Sequence, residues 1–442
     1  VSSGTVFECS AKLTVCRVFL RRKGPNDLCK REPKFLNTDR KTKPSYHKRL
    51  TSEDTMNHLV VLIAMALSVA SVVSAQNSIK LRLHGAPRDF NHTSRLDRET
   101  KRVAAKYAMH AKMYFQNNGK HLSVVNGTAL SKRANSGELE LDMLDAATWV
   151  GDIEIGSPGQ KQTVIFDSGS PNIVLGRESY KPDESSTSKD LHKSFHVSYL
   201  GPEAEGSVYT DDVVVAGVKA KHVAIGKTGS NFLNADPHKD LVGLFGLTYP
   251  QIGSFDVPDK NTFVGASKRQ KLFYDDVFQF VLRRNGDSYL NVGKIDMDKV
   301  DGDIGWISVD KSHGFWKTDV EINGHKSNGI IDSGTTFILG SNDDVKKILD
   351  DIDGVDVKKS ASGDWQAWYK CGDPPKVQLK IAGKEVTMSE DAMIAGIDGD
   401  QCQLGIAGVH GTNSWIFGSS FFQMFTVIFD FDNERMGFGK QK

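Results

Sequence analysis

Two aspartates, Asp167 and Asp332, open the same short signature: Asp-Ser-Gly and then a hydroxyl residue, Ser170 in one copy and Thr335 in the other. One such tetrapeptide is weak evidence, because Asp, Ser and Gly crowd ordinary turns. Here the flanks repeat as well. Val164-Ile165-Phe166 leads into the first copy and Ile173-Val174-Leu175-Gly176 leads out, while Gly329-Ile330-Ile331 and Phe337-Ile338-Leu339-Gly340 flank the second. Chance supplies such a pair on the order of once in a thousand chains. An Asp at the junction of an apolar strand and a turn is held rigidly. Gly169 and Gly334 let the backbone amide come close to the carboxylate, and the hydroxyls of Ser170 and Thr335 reach it from the side. If the turns face each other, two carboxylates share a site and cannot both ionise cheaply, so one keeps a proton over a broad pH range. A water between them can then lose a proton to the charged carboxylate while the neutral one polarises a carbonyl.

The elements that must position these turns read as strands. Short runs rich in Val, Ile, Phe and Thr, such as Trp149–Ile155, Gln162–Phe166, Val213–Ala216, Lys376–Ile381 and Phe425–Phe429, alternate with Gly, Asn, Asp and Ser. That is an all-β pattern. After residue 133 helical periodicity is scarce, and the best candidates are Tyr274–Arg284 and Asp343–Asp351. Two copies of one strand-turn-strand unit about 165 residues apart imply two similar lobes.

These motifs resemble the pepsin-like aspartic proteases, with the flavour of the fungal secreted members. The likeness spans nearly all of residues 140–442 and is carried by Val-Ile-Phe-Asp167, Gly-Ile-Ile-Asp332 and the ending from Trp415-Ile416-Phe417-Gly418 through Phe429-Asp430 to Met436-Gly437-Phe438-Gly439. The resemblance implies a bilobal all-β fold with a cleft between the lobes, and an aspartic endopeptidase that cuts extended polypeptides, with mainly apolar subsites. The splitting of two carboxylate pKa values is a known property of that family. It also implies that Ser168 and Ser333 cross-link the two turns, where Thr is more usual. Leu244-Phe245-Gly246 and Ile416-Phe417-Gly418 would pass beneath the turns, Cys371 and Cys402 would form a disulfide, and Tyr199 would close over substrate at the tip of a flap. Gly206 and Asp211-Asp212-Val213 would fall in the rest of that flap. Two departures touch the flap: Leu200 stands where Gly usually follows the Tyr, and Val174 replaces a bracing Trp. A catalytically inactive pepsin-like binding protein is the alternative. Such proteins typically lose an Asp or the Gly of the turn, and both survive here.

Charge divides the chain. The 442 residues carry net +1, but 25 basic and 9 acidic residues precede position 134 whereas 31 basic and 46 acidic follow it. An acidic body behind a basic leader argues against nucleic-acid binding and for an internal electrostatic partnership. The first Met is Met56, so residues 1–55 read as a leader outside the natural product, and the apolar run from Leu59 to Ala75 reads as a signal peptide over 56–75. A signal anchor is the alternative if the basic leader is translated. No apolar tail follows the last strand motif, which speaks against a lipid anchor. Residues 76–133 then form a basic propeptide ending at Lys132-Arg133, a dibasic pair suited to a trypsin-like processing protease or, more plainly, a solvated charge pair. The rest divides into an N-terminal lobe, 134–305, and a C-terminal lobe, 306–442. Downstream of the leader only Cys371 and Cys402 remain, either as one bridge closing a loop of about 30 residues in an oxidising compartment or as two buried thiols. Gly226-Lys227-Thr228 lacks the spacing of a phosphate loop. Zinc motifs are missing, and the acidic cluster Asp296, Asp298, Asp301, Asp303 lacks the calcium-loop pattern, so neither metal nor cofactor is expected. The expected partners are peptide or protein substrates and the chain's own propeptide, on a monomer that is secreted or delivered to a vacuolar lumen.

Overall fold

The computed structural model describes residues 78–84, 94–122, 148–197, 204–229, 241–257, 261–273, 275–309 and 311–442. The leader, the signal segment, Lys132-Arg133 and Tyr199 with Leu200 lie outside the described residues.

The β-branched and aromatic runs form strands, as their fit to a pleated, half-buried surface requires. The first part of the chain gives β1 (Ser78–His84), helix α1 (Ser94–Asn118), β2 (Thr148–Ile155), β3 (Gln160–Asp167), β4 (Ile173–Leu175), β5 (Lys189–Val197), β6 (Ala204–Val215), β7 (Val218–Thr228) and β8 (Leu241–Gly246). Helix α2 (Phe263–Gln270), β9 (Val277–Val281), β10 (Ser288–Val292) and β11 (Val300–Ser308) follow. Next come β12 (Lys317–Ile322), β13 (His325–Ile331), β14 (Ile338–Ser341), helix α3 (Asn342–Asp350), β15 (Asp356–Lys359) and β16 (Trp365–Lys370). The chain closes with β17 (Gln378–Ile381), β18 (Lys384–Thr387), β19 (Ile394–Asp398), β20 (Gln401–Leu404), β21 (Ile406–Val409), β22 (Trp415–Phe417), β23 (Phe425–Asp430) and β24 (Arg435–Gln441).

Among the described residues these strands make three sheets, of thirteen, seven and four strands. The largest runs β11-β24-β23-β9-β10-β1-β2-β3-β8-β4-β7-β6-β5, and the seven-stranded sheet runs β18-β17-β12-β13-β22-β14-β21. The repeat seen in the sequence is a repeat in space. The first aspartate ends β3, which pairs in parallel with β8, and β4 returns antiparallel to β8. The second follows β13, which pairs in parallel with β22, and β14 returns antiparallel to β22. This is the bilobal all-β architecture of the pepsin-like proteases.

One segment departs from the sequence-based expectations, and another, characterised in the sequence only by its charge, holds a helix. Tyr274–Arg284, read as a helix, contains strand β9, whose five residues are all buried between β10 and β23. Val277, Phe278, Phe280 and Val281 suit a strand buried on both faces, and within five residues their spacing mimics a helical stripe. Conversely, the basic segment 76–133 holds the longest helix described, the 25 residues of α1. Ala104, Ala105, Ala108, Ala111, Met109 and Met113 are strong helix formers. Gly119 ends the helix in the left-handed region at φ +65, where its N–H reaches the Phe115 carbonyl at 2.8 Å. The Asp343–Asp351 candidate is α3, with the Ser341 hydroxyl accepting from the Asp344 N–H at 3.2 Å.

Cys371 and Cys402 form a disulfide that closes a 31-residue separation and clasps the ends of β16 and β20. Replacing both by Ser frees that loop in the unfolded chain, and stability should fall by about 3 kcal/mol. Urea unfolding of the double variant against wild type measures the difference.

Candidate active site

The polypeptide delivers both aspartates in the same way. Each sits at the end of a buried parallel strand, and the next three residues turn so that Ser170 N–H reaches the Asp167 carbonyl at 3.4 Å and Thr335 N–H reaches the Asp332 carbonyl at 3.2 Å. Within each turn the carboxylate collects two donors. Asp167 accepts from Gly169 N–H at 2.9 Å and Ser170 Oγ at 2.5 Å, and Asp332 from Gly334 N–H at 3.0 Å and Thr335 Oγ1 at 2.6 Å. Both side chains are essentially inaccessible.

The turns are tied to each other across a near-twofold relation. Ser333 Oγ accepts from Ser168 N–H at 3.0 Å and donates to the Phe166 carbonyl at 2.7 Å. Reciprocally, Ser168 Oγ accepts from Ser333 N–H at 2.9 Å and donates to the Ile331 carbonyl at 3.0 Å. Each serine hydroxyl donates its proton to a carbonyl of the opposite segment and accepts an amide from it, so each bridges the two turns twice. Ser reaches both partners, so the extra methyl of Thr is not needed for the bonds. Each glycine lies against the opposite carboxyl: a Cβ on Gly169 would stand 2.4 Å from Asp332 Cγ, and one on Gly334 would stand 2.3 Å from Asp167 Oδ1.

Helix α1 fills the space above the pair. Its Lys106, itself buried, places Nζ 2.8 Å from Asp167 Oδ1 and 3.0 and 3.2 Å from the two oxygens of Asp332. The neighbouring Tyr107 donates its hydroxyl to Asp332 Oδ2 at 2.9 Å. One turn earlier, Glu99 accepts the Thr336 N–H at 2.7 Å, and Arg102 both pairs with Glu99 at 2.7 Å and donates to the Gly334 carbonyl at 2.9 Å. Asp97 accepts from Gln366 at 2.6 Å. Towards the other end, Tyr114 donates to the Ser312 carbonyl at 2.7 Å and Asn117 to the carbonyls of Gln251 and Gly253. Leu96, Val103, Tyr107 and Tyr114 pack with Ile330, Phe337 and Ile416, while Met109 packs with Val174, Phe195 and Val197 on the other side. The helix therefore grips both halves of the molecule.

The electrostatics follow from this crowding. Burial raises the pKa of Asp167, with Lys106 opposing and Asp332 adding to the rise. Burial also works against a charge on Asp332, but Lys106, Asp167 and Thr335 outweigh it and hold that carboxyl below its usual range. The two groups are thus pushed apart, Asp332 towards its charged form beside the ammonium and Asp167 towards its neutral form. Burial and the two carboxylates push Tyr107 well up, so it remains a hydrogen-bond donor. His110 is buried on the next turn of α1 against Tyr107 and Phe315, at ring distances of 5.7 and 5.6 Å. Burial, with Lys106 nearby, lowers its pKa to about 3.

Every turn residue singled out in the sequence thus meets at one place, with Leu244-Phe245-Gly246 and Ile416-Phe417-Gly418 running beside β3 and β13. Gly206 and Asp211-Asp212-Val213 lie on β6, in the β5–β6 hairpin whose tip is outside the described residues. Val174 is buried on β4. Lys106, Tyr107 and His110 escaped the sequence analysis. The signal was present as the spacing Leu96, Val103, Tyr107, His110, Tyr114, a helical stripe inside a segment characterised only by its charge.

Residues 148–441 match the family model described as eukaryotic aspartyl protease. The chain is 34% identical to Secreted aspartyl protease 1 of Malassezia globosa over 70% of its own length and 78% of the relative. It is 30% identical to a Probable inactive secreted aspartyl protease of the same organism, covering 73% and 86% of the two chains. With Penicillopepsin-1 of Penicillium janthinellum the identity is 28%, over 64% and 92%.

The two glycines give a sharp test. Ala at Gly169 or Gly334 drives a methyl into the opposite carboxyl, so either substitution should lower peptide hydrolysis about 100-fold or more while the global fold persists. Turnover of a peptide substrate and the circular dichroism spectrum, measured together, check this.

Proposed function

Since the chain belongs to the eukaryotic aspartyl proteases and is an aspartic endopeptidase, we propose that Asp167 and Asp332 are its catalytic pair and that residues before Arg133 hold it as a zymogen. The observation that carries this is the single buried ammonium of Lys106 bonded to both carboxylates. In the open enzyme a water takes that place. The charged carboxylate accepts a proton from the water as its oxygen attacks the scissile carbonyl, and the neutral carboxyl donates to the carbonyl oxygen. Collapse of the tetrahedral adduct then returns a proton to the leaving amine. An extended polypeptide with apolar side chains at the cut is the substrate, the enzyme acts as a monomer, and it is exported. Cleavage after Lys132-Arg133 separates the inhibitory segment. Asp332→Asn should abolish hydrolysis while leaving the fold intact. Unchanged cleavage by that variant would rule out the carboxylate mechanism, and wild-type chain without peptidase activity would favour the inactive binding protein.

Inhibition by α1 should weaken in acid. His110 has a docked pKa of about 3 against an ordinary 6.5, so the free helix takes up the proton first. Docking is therefore undiminished above pH 6.5 and loses about 1.4 kcal/mol per pH unit as pH falls from 6.5 towards 3. Asp332, depressed in the docked state, acts with the same sign: its contribution is present above its ordinary value and is lost as pH falls through the docked one. Asp167, raised, acts against both. With His110→Phe, the pH at which the full chain first cleaves a peptide should fall by about one unit. With Lys106→Ala the carboxylate pair loses its counter-ion, docking weakens by about 3–5 kcal/mol, and activity should be measurable at pH 7. Activity against pH for the three proteins tests both expectations, and superimposable curves would refute the inhibitory role of the helix.

A further inference from the structure

We infer that Trp316 is a positioning residue that fixes the separation of the two carboxylates from beneath, an inference that rests on Asp167 and Asp332 being the catalytic pair. Trp316 is fully buried just before β12, and its indole N–H donates to the carbonyl of Leu247 at 3.1 Å. Leu247 lies just past β8, and its own N–H donates to the carbonyl of Asp167 at 2.9 Å. The other end of Trp316 serves the second turn: its carbonyl accepts the N–H of Ile331 at 2.9 Å. The Ile331 carbonyl in turn accepts the Ser168 hydroxyl at 3.0 Å. These bonds close a circuit: Trp316 to Leu247, Leu247 to Asp167, along the chain to Ser168, across to Ile331, and back to Trp316. Both reacting residues are in or next to the ring, since Asp332 follows Ile331. A parallel strut, Thr248 Oγ1 to the Gly314 carbonyl at 2.9 Å, joins the same two segments.

The ring is rigid for a physical reason. The indole is wedged among Tyr249, Phe429 and Phe431 at ring distances of 4.6, 4.9 and 4.5 Å, so Nε1 has one direction in which to donate. The Ser168 and Ser333 cross-links hold the turns together near the carboxylates. The Trp316 circuit holds the strands behind them, so the pair cannot pivot apart about the serine bonds. Two carboxylates share one proton over a wide pH range only while they stay close, because the splitting of their pKa values grows with their interaction.

The test removes the N–H and keeps an aromatic ring in the pocket. In the full chain, assayed under the acidic conditions at which wild type cleaves a peptide, Trp316→Phe should lower kcat about tenfold and leave KM within about twofold. Both limbs of the kcat against pH profile should move inward, because a looser pair splits its two pKa values less. Among the described residues the charged and titratable groups facing the pair, Arg102, Lys106, Tyr107 and His110, all come from α1, so profiles are taken after α1 is displaced. Phe431→Leu is the packing control, expected to lower thermal stability without moving either limb. Should Phe at 316 prevent folding, benzothienylalanine at that position keeps the shape with sulfur in place of the N–H and should give the same kinetics. A wild-type profile with either replacement, a loss of kcat with unmoved limbs, or the same inward shift from Phe431→Leu would overturn the assignment. Asp332→Asn tests the catalytic pair itself, so the two failures are told apart.

Discussion

Two carboxyl groups buried side by side repel each other, and each alone would sooner take up a proton than ionise in a dry cleft. Much of the surrounding architecture answers that constraint. Four short donors, two amides and two hydroxyls, stabilise charge on the pair. Those donors come from the aspartates' own turns, so the carboxylates cannot move without carrying their hydrogen bonds along. The serine cross-links then remove the freedom of one turn relative to the other. In the presence of α1 the ammonium of Lys106 completes the solution, a cation bonded to both acids.

On the proposed function, the same constraint lets inhibition and catalysis occupy one point. A site built to hold a water between two acids is equally suited to hold an ammonium there. The rest of α1 makes the choice selective: Glu99 and Arg102 satisfy backbone groups of the second turn at Thr336 and Gly334, and Tyr114 and Asn117 fasten to loops on the far side. Burying a lysine is costly unless it is paired and hydrogen-bonded, so the helix binds with Lys106 in one register.

How much of this was legible in the residues follows from locality. The aspartate turns were readable because everything they need, strand, turn glycine and hydroxyl, lies within a dozen residues and occurs twice. The β-branched and aromatic runs of β2, β3 and β23, bounded by turn residues, were readable for the same reason. The docking of α1 on the pair was not, because Lys106 is one basic residue among many until the fold sets it on two carboxylates 61 and 226 positions away. The Tyr274–Arg284 segment misled because Val277-Phe278-Gln279-Phe280-Val281 is buried on both faces, which erases the alternation that marks a half-exposed strand. Trp316 lay outside every motif; its indole partner is 69 residues distant.

Strand β1 gives the proposed processing a different character from the removal of a plug. It lies inside the largest sheet, paired with β10 through Ser78–Leu81 and with β2 through Arg82–His84, and Ile79 and Leu81 belong to the main core. If the segment before Arg133 is cut away, two ladders lose their common member and both new edges expose unpaired amides and carbonyls. The mature body must recruit another strand into the gap before it regains a continuous sheet. On the proposed cleavage, maturation is a rearrangement of the fold as well as a cut, and a mature chain refolding after denaturation would lack a strand that the full-length sheet contains.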